Sequence, residues 1–191
     1  MTRFLFASAL ACALFLSGCE STAPATEETT ENKEAAQTPA PRQMTAVRVT
    51  GYAGDQADLL KSGDPKLAAN KKLAYDFFRI ILRGRRLDQA DQYMTEDYIQ
   101  HNPNADTGMA GFKAYFSALG GEQPIPETLE GLVAIQAEGD YVTLSFSREY
   151  KDPLIPGATY TTTWFDMFRI VNGKIVEHWD SATKGPGPER P

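Results

Sequence analysis

The sequence predicts an α+β domain with helices in its first half and antiparallel strands in its second. Three observations carry this. Residues 70–83 repeat apolar side chains at helical spacing, with Leu73, Phe77, Ile80 and Ile81 on one side. From about Leu132 onward the period changes to two, and the segments become rich in Val, Thr, Tyr, Phe and Trp. Asn172-Gly173 then sits between two such segments, as a hairpin turn requires.

The chain has 191 residues, with 42% hydrophobic and 23% charged side chains, a globular composition sized for one ordinary domain. Its net charge is −6 and no Lys/Arg block occurs. That excludes nucleic acid as a partner, because such binding rests on phosphate neutralisation. Two cysteines exclude a disulfide framework and a cysteine-built zinc site, and two histidines confine imidazole chemistry to His101 and His178.

The N-terminus reads as an address. Arg3 precedes an apolar run from Phe4 to Leu16, followed by Leu16-Ser17-Gly18-Cys19. The run is too short to span a bilayer. The last four residues resemble the lipobox of bacterial lipoproteins. The resemblance implies removal of residues 1–18 and lipidation of Cys19. The mature chain then has no free thiol, since Cys12 is removed. The expectation is an exported protein anchored to the cell envelope through the lipid on Cys19. In a Gram-negative cell, Glu20 in place of Asp at the second mature position implies the outer membrane. Residues 19–45 carry the lipid and then a Thr, Ala, Glu and Pro tract without aromatics, which reads as a disordered tether. Residues 46–191 form the domain.

Within the domain, Asp64-Pro65 is a helix start signal and Gly84 a stop for the helix over 70–83. Residues 87–93 suit a second short helix, and Tyr98-Ile99 a brief extended segment. Residues 109–119 suit a third helix before Gly120-Gly121. Four strands follow, over 132–137, 141–150, 160–171 and 174–180.

Two stretches, YIQHNP at 98–103 and TTWFDMFRIVNGKIVEHWD at 162–180, together resemble the SnoaL-like polyketide cyclases of the nuclear transport factor 2-like superfamily. The resemblance spans about residues 66 to 184. It implies a cone: three helices packed on a strongly curved antiparallel sheet that encloses a pocket. It also implies dimerisation, and an aspartate that acts as acid and base in an intramolecular aldol closure. That aspartate falls on Asp180. The chain departs from the cyclases at Trp164 and Asp166, where they carry neutral groups or histidine. The fold hosts isomerases, hydrolases, dehydratases and plain binders, so it fixes no reaction by itself.

The register of the last hairpin decides which side chains meet, because one residue of slip moves every side chain to the other face. A two-residue turn places Asp166 opposite Trp179. A three-residue loop, Val171-Asn172-Gly173, places Asp166 opposite His178 and Trp164 opposite Asp180. The second register is expected, because it gathers Trp164, Asp166, Phe168, His178 and Asp180 on one face. Asp180 is then the base, His178 the partner acid and Asp166 its orienter. His101 and Asn102 would bind the substrate oxygen, with Tyr98, Trp164 and Phe168 lining the pocket. Arg169 reads as a surface or cross-strand charge.

The expected ligand is a small apolar or carbonyl-containing molecule, handled without a cofactor. The rival reading is a lipoprotein that binds such a molecule without turning it over. A metal triad of His101, His178 and one aspartate is conceivable, but no ligand spacing supports it and no metal is expected. There is no glycine-rich phosphate loop and no serine nucleophile elbow.

Overall fold

The computed structural model describes residues 47–191. The expected signal, Cys19 and tether lie outside the described residues. Among the described residues no helix is long and apolar enough to cross a membrane.

The first helix, α1 (Pro65–Asp76), begins where the start signal lies: Asp64 accepts from the backbone N–H of Lys66 at 2.7 Å and of Leu67 at 3.4 Å. Proline at its first position loses no hydrogen bond there. The helix continues as a wider π-helical stretch, Phe77–Arg83. This widening buries the adjacent Phe77 and Phe78 as well as Ile81. Gly84 ends it, and a Cβ there would lie 2.6 Å from the Ile80 carbonyl oxygen, so only glycine fits. The expected second helix is a short 3-10 turn, Leu87–Gln92. The third, α2, is Gly108–Ser117.

Five strands form one curled mixed sheet: β1 (Met94–Gln100), β2 (Leu132–Glu138), β3 (Tyr141–Lys151), β4 (Thr159–Val171) and β5 (Lys174–Asp180), in the order β1-β5-β4-β3-β2. The antiparallel expectation holds for β2 to β5. The segment expected only at Tyr98-Ile99 is a seven-residue strand, and it runs parallel to β5. No hairpin joins these two strands, so nothing forces them antiparallel.

The core lies between α1, its π-helical extension, α2 and the concave face of the sheet. Phe77 meets Phe168 edge-on at 5.6 Å, and Phe78 meets Phe146 at 4.9 Å. Tyr98, Leu132, Leu144, Ile170 and Ile175 are fully buried around them.

The β4–β5 hairpin corrects the expected register. Val171 pairs with Lys174, so the turn has two residues, not three. Asn172 (φ 51°) and Gly173 (φ 72°) are both left-handed, the geometry of a type I′ turn. Ile170 pairs with Ile175, but Arg169 pairs with Glu177. Val176 is therefore an extra residue, a β-bulge in β5. Beyond it, Phe168 faces His178 and Asp166 faces Asp180. The predicted partners Asp166–His178 and Trp164–Asp180 are thus displaced by two residues. Two residues preserve the parity, so the five predicted side chains still share the concave face.

Candidate functional site

Ile175 points into the core, and regular alternation would send Glu177 and Trp179 in after it. The Val176 bulge reverses this: His178 is buried, with its ring on that of Phe168 (4.8 Å, 29°), and Asp180 follows on the same side. Glu177 and Trp179 go to the convex face. A cavity of about 740 Å³ opens above the concave face. Tyr98, Asn102, Trp164, Asp166, Phe168, His178 and Asp180, all expected at the pocket, line it.

His101 is the exception. It does not line the cavity; it is exposed, stacks on Trp179 (4.8 Å, 6°) and meets Glu177 at 2.8 Å. The cause is strand alternation: Gln100 pairs with His178 and faces inward, so its neighbour faces out. Arg169 joins the same outer cluster, bonded across the strands to Glu177 at 2.8 Å. The His101 and Arg169 hydrogen bonds hold the Glu177 carboxyl below its ordinary range.

Gln100, which sequence reasoning passed over, organises the site. Its side-chain oxygen accepts the Asn102 backbone N–H at 2.9 Å, and its amide nitrogen donates to the Tyr98 hydroxyl at 3.0 Å. A backbone N–H can only donate, so the orientation of the Gln100 amide is fixed. The same oxygen lies 2.9 Å from His178 Nδ1, which must therefore carry a hydrogen. His178 Nε2 is left facing Asp166 Oδ1 at 3.2 Å. That contact is attractive only with a proton between the two atoms. A proton placed there would be shared between Nε2 and Oδ1, the arrangement a proton-transferring pair needs.

Asp180 is held by two donors. Asn102 Nδ2 donates to Oδ2 at 2.6 Å, and the Ala182 backbone N–H donates to Oδ1 at 2.9 Å. Asn102 therefore positions Asp180 instead of facing the ligand with a free amide. Asn102 is itself fixed, because its side-chain oxygen accepts the Asn104 N–H at 2.8 Å. Asp166 Oδ2 is buried and has no hydrogen-bond partner, as is Trp164 Nε1. Burial, with the charges of Asp180 and Asp166 adding to it, pushes the Tyr98 phenol far above its usual range. Tyr98 is a neutral hydroxyl at every working pH.

The conceivable triad of His101, His178 and an aspartate does not assemble, since His101 points away. Asp166, His178 and Asp180 instead bring one donor atom each within 4.8 Å of one another, a set that could also hold a divalent cation.

A second residue absent from the predicted site is Arg148. Leu144, Phe146 and Tyr150 alternate with outward side chains on β3, and Arg148 lies on their inward face, lining the cavity. The signal was visible as one charge in an apolar alternation.

Residues 74–178 match the family model described as SnoaL-like domain. The chain belongs to the SnoaL-like domain family. The match includes Asp166 and His178 and ends two residues before Asp180. No curated protein matches the chain significantly. Among solved structures, the chain is similar to TsrD from Streptomyces laurentii (21% identity, TM-score 0.41, covering 63% of this chain and 90% of that one). It is also similar to a candidate polyketide cyclase from Bacillus cereus (20%, 0.44, 61% and 76%). A third is a candidate SnoaL-like polyketide cyclase from Jannaschia sp. (16%, 0.42, 63% and 91%).

Proposed function

We propose that this SnoaL-like domain catalyses proton transfer on a small carbonyl compound, as an aldol cyclase or isomerase, while anchored to the cell envelope through Cys19. The observation that carries the catalytic reading is the juxtaposition of Asp166, His178 and Asp180, with donor atoms within 4.8 Å, on the wall of a cavity of about 740 Å³. Such a volume suits a small-molecule ligand, since pockets of this kind run from about 300 to 1,000 Å³.

Asp180, oriented by Asn102 and the Ala182 N–H, removes the proton next to the carbonyl. The carbonyl oxygen takes a proton from the His178 Nε2–Asp166 pair, which gives an enol. In an isomerase Asp180 reprotonates the enol at another carbon while the enol O–H proton returns to the His178–Asp166 pair. In a cyclase the enol carbon attacks a second carbonyl. The enol proton then returns to the His178–Asp166 pair, and Asp180 gives its proton to the new alkoxide. Both routes restore the site. Tyr98, Gln100 and Phe168 hold the imidazole in place. Anchoring is supported by the basic start, the apolar run and the Leu16-Ser17-Gly18-Cys19 sequence.

The test follows exchange of the α-protons of 2-tetralone in deuterated buffer by proton NMR. Wild type accelerates exchange, and Asp180→Asn loses about 100-fold or more, the usual contribution of a positioned acid/base group. Exchange unaffected by Asp180→Asn removes Asp180 from the reaction. Saturable binding of 2-tetralone without accelerated exchange favours a carrier of the same ligand class.

A further inference from the structure

The charges that line the cavity are unbalanced. Arg83, Arg85, Arg148 and Arg190 stand against Asp166 and Asp180, in a chain whose net charge is −6. The positive cleft therefore opposes the sign of the whole protein, and a cleft lined by one sign of charge concentrates counter-ions. Three of these arginines are accounted for nearer the mouth. Arg83 and Arg190 are exposed, and Arg85 donates to the Leu82 carbonyl at 2.8 Å beneath the Phe116 ring.

Arg148 differs. It is half-buried, on the inward face of β3, with its guanidinium carbon 3.5 Å from the centroid of the Trp164 ring. Among the described residues it has no carboxylate within 4.0 Å. Burial pulls its pKa down, against the opposing effects of the Tyr150 hydroxyl and the Asp166 charge. The guanidinium nevertheless stays charged, and its forked donors match a carboxylate. The indole N–H of Trp164, on which it rests, is buried and without an acceptor. The indole N–H on the wall of this ligand-sized cavity thus has no acceptor, and the guanidinium in contact with it has none beyond the Tyr150 hydroxyl. Leaving such groups unmet costs free energy that a bound acceptor recovers.

We propose that the cavity selects ligands that carry a carboxylate or a comparably acidic oxygen, seated between the Arg148 guanidinium and the Trp164 indole N–H. This rests on the reading of the cavity as a small-molecule site and adds the ligand's chemical class. The anionic group docks on β3 and β4, and the rest of the ligand extends across Phe168 toward Asp180 and His178. Arg148 thereby fixes which end of the ligand meets the acid/base groups.

The test compares 1-naphthoate with its neutral isostere 1-naphthamide by titration into 15N-labelled protein. The chain has two tryptophans, so two indole N–H resonances are expected, and Trp179→Phe assigns the one from Trp164. The proposal expects 1-naphthoate to bind at least about tenfold more tightly than the amide, as a charge-assisted hydrogen bond warrants. It also expects a shift of the Trp164 resonance by the acid. Arg148→Gln should bring the two affinities together, and Arg148→Lys should retain part of the preference, since it keeps the charge but not the fork. Equal affinities in wild type overturn the proposal, as does a preference that survives Arg148→Gln, and both leave the cavity as a ligand site. Failure of both probes to bind folded wild type overturns this inference and the pocket reading together. The wild-type comparison decides the matter even where Arg148→Gln does not fold.

Discussion

Asp166 and Asp180 stand directly opposite one another across β4 and β5, although Ile170 and Ile175 nearer the turn pair in a register one residue different. The whole difference is Val176. Were Val176 paired as a regular strand residue instead of bulged, His178 and Asp180 would go to the convex face, and the cavity would lose two of its three acid/base groups.

Deleting Val176 should therefore remove the bulge and keep the site, because Glu177 then follows Ile175 directly and alternation still turns His178 and Asp180 inward. The expected product keeps the Asn172-Gly173 turn and the helices, with unchanged far-ultraviolet circular dichroism. His178 stays protected from diethyl pyrocarbonate, which in both proteins modifies exposed His101 first. Modification of His178 in the deletion variant would show that Val176 does more than set the register.

Gln100 is a positioning residue. Gln100→Leu leaves the His178 Nδ1–H and the Asn102 N–H without their acceptor, at a cost of about 1–3 kcal/mol for each donor that stays buried. Urea denaturation should show a loss of about 2 kcal/mol or more. Gln100→Glu keeps both acceptor bonds and can take a hydrogen bond from Tyr98. It should recover most of that stability while moving the pH dependence of proton exchange upward, because an added carboxylate favours the imidazolium.

The convex cluster gives a signed pH effect. Hydrogen bonds from His101 and then Arg169 hold Glu177 below its ordinary value of 4.5. A depressed carboxyl contributes stability above its unfolded pKa and loses it as pH falls through the folded pKa. Wild type should lose more thermal stability between about pH 5 and pH 3 than Glu177→Gln. The neutral pH difference should be small, because ion pairs near solvent contribute at most about 1 kcal/mol. Identical acid-side slopes in the two proteins would contradict the assignment.

Envelope anchoring has its own test. Full-length chain expressed in a bacterial host should incorporate labelled palmitate and sediment with membranes. Cys19→Ser should abolish both, since acyl chains contribute about 0.8 kcal/mol per buried methylene and no described helix is long and apolar enough to cross a membrane. Membrane retention of unlabelled Cys19→Ser protein would point to a different anchor.

Elements with strong local signals were legible in the sequence. Asp64-Pro65 and Gly84 bound the first helix, and Asn172-Gly173 turns the last hairpin. The parallel pairing of β1 with β5 was not legible, because it joins segments about 80 residues apart with no turn to announce it. The face shared by Trp164, Asp166, Phe168, His178 and Asp180 was reached through the wrong turn: a bulge, not a longer loop, supplies the parity. A bulge at a β-branched valine leaves no compositional mark. His101 was misplaced because chemistry took precedence over alternation. Tyr98 is buried, so the inward residues of β1 continue with Gln100 and not with His101. Had the period been followed, Gln100 and Arg148 would both have been assigned to the site.

The central claim is that His178 is fixed with hydrogen on Nδ1, so that Nε2 faces Asp166 and moves the proton. Two-bond proton–nitrogen spectra of 15N-labelled protein measure this directly, because the chain has only two histidines and His101→Gln assigns them. The account predicts an His178 Nδ1 shift at the protonated value at neutral pH. An Nε2-protonated tautomer with bare Nδ1 at neutral pH would contradict it.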